Sequence, residues 1–144
     1  MKKIVIISTM AFILSIFGNT AIGGDLDFLR DIDRKARADV MEFTKQMSVS
    51  FGLSLPQVEV IIKSVPNPSD AFMIIRIGKL SNHSPEDVLR VFNYNTGQGW
   101  GNIAKHMGIK PGSREFHELK QAPSSLSLAS KSAGKGKSKK NRKK

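Results

Sequence analysis

Apolar residues recur along this chain at helical spacing. Leu29, Ile32, Ala36, Val40, Phe43 and Met47 step by 3, 4, 4, 3 and 4 residues, which places them on one face and predicts a single long amphipathic helix. Asp31/Lys35 and Asp33/Arg37 stand on the other face as acid-before-base pairs at i,i+4, the spacing of an exposed helical surface. Gly52 is the expected stop. Pro56 then opens a short helix through Val58, Ile61 and Ile62, and Val65-Pro66-Asn67-Pro68 reads as a turn.

The next element, Asp70 to about Leu80 with Ser69 as its cap, is apolar almost all round: Phe72-Met73-Ile74-Ile75, then Ile77 and Leu80. A helix with that pattern is central and covered on several sides. A buried strand is the competing reading of so short a run, and the Ser-Asp start with proline-free helical length favours the helix. Ser84-Pro85-Glu86-Asp87 supplies a cap, a first-turn proline and two acids, so another helix follows with Val88, Leu89, Val91 and Phe92 inward. Trp100, Ile103, Ala104 and Met107 predict a short helix closed by Gly108. Pro111-Gly112 turns the chain, and Ser113 caps a last helix bearing Phe116 and Leu119. Ser54-x-x-x-Val58-x-x-Ile61 and Ser84-x-x-x-Val88-x-x-Val91 echo one another 30 residues apart, too few matches to establish a repeat. The expected fold is all-α, a small bundle of about five to six helices.

The N-terminus has a different pattern. Lys2 and Lys3 precede an uncharged apolar run from Ile4 to Phe17, Gly18-Asn19-Thr20 breaks it, and Ala21-Ile22-Gly23 supplies small residues. This is the layout of a secretory signal peptide, 1–23, cleaved before Gly24. Its run of 14 residues falls short of the roughly 20 that span a bilayer. No second run of membrane length follows. The expectation is an exported bacterial protein, periplasmic or secreted, with a helical domain at 24–121 and a disordered Lys-rich tail at 122–144. Cysteine is absent, which excludes a disulfide framework, thiol catalysis, cysteine-ligated zinc and a lipoprotein anchor.

Charge sharpens the division. Of 23 basic residues, two lie in the leader and eight in the tail, which leaves 13 against 12 acidic residues in 24–130. The body is almost neutral. Lys131, Lys135, Lys137, Lys139, Lys140, Arg142, Lys143 and Lys144 carry eight of the eleven net positive charges, with no acid among them. Such a segment seeks polyanions: an anionic envelope surface, lipid headgroups or released nucleic acid. It has no aromatic residue, so it should lie on a surface rather than insert.

Residues 97–120 hold the densest motif. Gly97, Gly99 and Gly101 surround Trp100, Ile103-Ala104 follow, then Gly108-Ile109, Pro111-Gly112-Ser113 and Glu115-Phe116-His117. The glycines suggest a tight connection with Trp100 as a core anchor, its N–H bonded to a turn carbonyl. A stacking platform for a sugar or a partner is the sharper alternative. This stretch resembles a module of small, largely uncharacterised bacterial exported helical proteins, with Gly-x-Gly-Trp-Gly-x-Ile-Ala, then Gly-Ile-x-Pro-Gly-Ser and a Glu-Phe-His helix. The resemblance covers residues 84–120 and implies an exported helical protein; it implies no activity.

Ile103-Ala104-x-x-x-Gly108-Ile109 also has the spacing of a helix-turn-helix, in which Ser113 to Lys120 would be the recognition helix. Nucleic-acid binding is therefore the alternative function. Against it, Glu115 and Glu118 balance Arg114 and Lys120 where phosphates demand positive charge, Pro111-Gly112 lengthens the turn, and the leader directs the protein away from the chromosome. No nucleophile elbow, Walker loop or His-Glu-x-x-His is present. A metal on His106, His117 and Glu118 matches no known spacing. The reading is a non-enzymatic, cofactor-free binding module, with a helical body for an unidentified protein partner and a basic tail for polyanions.

Overall fold

A computed structural model describes residues 26–124, so the leader and the eight-charge tail lie outside the described residues. Those residues form seven α-helices and no strand: α1 Phe28–Ala38, α2 Val40–Phe51, α3 Leu55–Lys63, α4 Pro68–Ser81, α5 Pro85–Tyr94, α6 Trp100–His106 and α7 Arg114–Lys120. The all-α expectation holds. None of these helices is long and apolar enough to cross a membrane.

The hub is α4, which packs against all six other helices. Every residue from Ala71 to Gly78 is buried, as its all-round apolar pattern requires. Phe72, Met73, Ile74, Ile75 and Ile77 are essentially inaccessible, and each contributes roughly 1.5–3 kcal/mol by leaving water. Phe43 and Met47 of α2, Val58 and Ile61 of α3, Val88 of α5, Ile103 and Ala104 of α6 and Phe116 and Leu119 of α7 complete the core.

The single long first helix does not form. Asp39 adopts an extended backbone (φ −152°, ψ 91°) and breaks it into α1 and α2. Its carboxylate accepts the Glu42 N–H at 2.9 Å, so it caps α2, and a cap of this kind contributes about 1 kcal/mol. The break rotates the register. Val40, expected in the core, is 52% exposed, while Thr44 is buried beside Phe43 and Met47. The expected i,i+4 ion pairs are replaced as well. Asp31 pairs with Arg34 at 2.5 Å on the surface, and Arg37 reaches the Asn67 side chain.

Asp33 has a different task. Its carboxylate accepts the Ser69 N–H at 2.8 Å and the Ser69 hydroxyl at 2.9 Å, tying α1 to the first turn of α4. Ser69 is thus not the cap of α4. Asn67 occupies that position with Pro68 as the first helical residue, and the Asp70 carboxylate accepts from both the backbone and side-chain N–H groups of Asn67. Partial burial pushes the Asp70 carboxyl above its ordinary range, opposed by those two bonds and reinforced by the nearby charge of Asp33.

The sequence echo corresponds to two matching corners. Gly52 ends α2 and Asn82 ends α4, both left-handed (φ 70° and 57°). In each case two successive N–H groups return to one carbonyl, Ser48 in the first and Gly78 in the second. Two residues later Ser54 and Ser84 cap the next helix through Gln57 and Asp87. Gly78 is further constrained by space, because a Cβ there would sit 3.0 Å from the His83 carbonyl oxygen.

Asp33→Ala should cost about 1–3 kcal/mol in urea unfolding, since it strips a charged acceptor from two donors of a buried residue. Asp31→Ala should cost under about 0.5 kcal/mol, as expected of an exposed pair. Equal effects would mean that the α1–α4 tie contributes nothing beyond a surface ion pair.

Candidate functional site

Trp100 opens α6, and its indole stacks on Phe92 of α5 with centroids 5.2 Å apart and planes 13° from parallel. Packing of this kind adds about 0.5–1.5 kcal/mol beyond burial. The ring is half-buried, one face is covered by Phe92, and the expected hydrogen bond to a turn carbonyl is not among those formed by the described residues. Its role is to join α5 to α6.

The surrounding glycines are needed for backbone conformation rather than close approach. Gly97 and Gly99 have φ of 86° and 78°, yet a Cβ at either would meet nothing within 4 Å. Gly101 lies in the first turn of α6. Ile103 and Ala104 are buried, with Met107 and Ile109. Gly108 and Gly112 are left-handed with open surroundings, Pro111 is exposed, and Phe116 is buried.

As a helix-turn-helix the C-terminal unit is loose: α6 packs on α5 and α4, and α7 on α4. His106 lies against the Asn102 carbonyl, and His83 against that of Ser81. Among the described residues no three metal-ligating side chains come together, so His106, His117 and Glu118 do not assemble. Of the residues singled out around Trp100, only His117 faces the cleft described next.

That cleft, about 480 Å³, lies between the end of α2, the outer part of α4 and α7. Phe51 and Phe72 meet edge to face at 5.9 Å at its base. The Arg76 guanidinium lies 5.4 Å from the Phe72 centroid and the Lys79 ammonium 5.6 Å from that of Phe51, both within cation–π range. Arg114, His117 and Glu118 line the α7 side. Among the described lining residues, three permanent cations thus share the cleft with one carboxylate.

Arg76 is the unusual member. It interrupts the apolar run of α4, is only 8% exposed, and reaches the C-terminal end of α7. One terminal nitrogen donates to the Gln121 carbonyl at 2.7 Å and the other to the Glu118 carbonyl at 2.5 Å. A helix end leaves carbonyls short of donors; the Glu118 carbonyl also accepts the Gln121 N–H at 3.1 Å, and Arg76 adds a second donor to it. Burial lowers its pKa, and the more distant Glu118 charge partly restores it. No carboxylate of the described residues lies within ion-pair distance of it.

On α7, the Glu115 carboxyl is held below its ordinary range by its own N–H and the Ser113 hydroxyl, with a smaller contribution from Arg114. Sequence reasoning passed over Arg76, Lys79 and Arg114 as sites because the cleft draws on three separated segments. The available signal was one arginine inside the otherwise apolar run Phe72–Ile77.

Compared with protein-family models, curated proteins and solved structures, the chain matches none.

Phe92→Leu should move the fluorescence of the sole tryptophan to the red and destabilise the protein by about 0.5–1.5 kcal/mol. An unshifted spectrum would mean that Trp100 takes its environment from elsewhere.

Proposed function

We propose that this protein is an exported, non-enzymatic binding module that attaches to anionic polymers or lipid surfaces of the bacterial envelope through its C-terminal Lys-rich segment. The observation that carries the reading is the separation of charge: eight cations and no acid in 131–144, against 13 and 12 in 24–130. A solubilising balance would spread over the surface; a charge block at one end acts as an attachment point.

The body adds to this. The basic run starts seven residues beyond Ser124, which lines the cationic cleft. At full extension that is about 25 Å, so tail and cleft can engage the same polyanion. Export rests on the leader-like 1–23 segment and on the likeness of 84–120 to exported proteins. For a protein partner, the body offers the exposed Met41 and Val49, eight residues apart on α2.

Binding to phosphatidylglycerol vesicles tests the reading. Each basic residue near an anionic surface contributes about 1 kcal/mol, so replacing Lys135, Lys137, Lys139 and Lys140 by glutamine should weaken binding by a few hundredfold at low salt. Added salt should abolish the difference. Equal binding of both proteins, or binding that ignores salt, would contradict it.

A further inference from the structure

We propose that the cleft between α2, α4 and α7 is a binding site for a single oxyanion, a phosphate group, which completes the charge of Arg76. The inference goes beyond the tail reading and needs neither the tail nor export.

It begins from an imbalance. A buried charge is ordinarily paired, and Arg76 is a nearly buried cation whose hydrogen-bond partners are two neutral carbonyls. The carbonyl end of α7 presents the equivalent of about half a negative charge, which leaves a positive remainder. The lining adds to that remainder: Lys79 and Arg114 bring two more cations, and Glu118 is the only carboxylate among the described residues that line it. Two neutral carbonyls occupy two of the guanidinium's five N–H donors, and three remain.

Among the described residues Lys79 donates only to the Ser50 carbonyl, at a long 3.3 Å, so its ammonium keeps donors for a ligand. A dense site of planar and point-like donors suits tetrahedral phosphate. Phe51 and Phe72 hold the two cations of α4 in place from beneath, and donors fixed before binding lose less freedom when the anion arrives.

The phosphate could be free or belong to a lipid headgroup. The test titrates inorganic phosphate into the full-length isotope-labelled protein at physiological salt and follows its backbone amides by NMR. The expected result is one saturable transition at Arg76, Lys79, Arg114 and Gln121. Lys79→Gln/Arg114→Gln, both exposed positions, should weaken it at least about tenfold, the effect of losing charge-assisted contacts. Lys79→Arg/Arg114→Lys should restore it, with urea midpoints verifying that both variants fold.

Phosphatidylglycerol vesicles then separate the sources. Displacement of phosphate from the cleft amides assigns the site to headgroups, and no displacement assigns it to free phosphate. Shifts confined to 131–144, or equal affinity in the glutamine variant, would overturn the proposal. Failure of the tail lysine substitutions to affect vesicle binding would leave this result standing, so the two readings fail separately.

Discussion

The Arg76 guanidinium sits where the central helix meets the last one, and the C-terminal third of the fold depends on how its charge is accommodated. Its stem occupies a core position of α4 and its head lies beside the Phe72 ring. Two of its donors reach the carbonyls of Glu118 and Gln121. A leucine there would bury more apolar area but would leave the end of α7 without those donors. At seven residues, α7 is too short to persist in water by itself. It is held by Phe116 and Leu119 on one side and by the Arg76 fork at its end. The same fork leaves a positive remainder beside Lys79 and Arg114, which gives the cleft its electrostatic character.

The other ties serve the same hub. Asp33 fixes α1 to the start of α4 through Ser69, and the left-handed residues Gly52 and Asn82 set the corners that bring α3 and α5 alongside. The Phe92–Trp100 stack then joins α6 to α5. The protein has no disulfide to rely on, since it has no cysteine, so packing and these few polar ties hold the described domain together.

Much of this was legible in the sequence where local chemistry decides the outcome. Ser84 and Ser113 each cap the helix they precede, whereas Ser69 gives way to Asn67, and the all-round apolar run of α4 marked it as central. Periodicity misled at Asp39, because apolar spacing continues across a break made by a capping side chain. Asp39 followed three residues later by Glu42 was the available signal. The Asp33–Ser69 tie was not legible, since it joins positions 36 residues apart. Nor was the cleft, where Phe51, Arg76 and Arg114 converge only through tertiary packing.

The most direct test of the Arg76 account is Arg76→Lys, followed by urea unfolding and amide exchange across α7. Lysine keeps the charge but lacks the rigid planar fork whose two nitrogens reach the two carbonyls. The account predicts a loss of about 1.5–3 kcal/mol and a selective loss of protection in Arg114–Lys120. A change below about 0.5 kcal/mol, within the range of ordinary surface substitutions, with α7 protection intact, would contradict it.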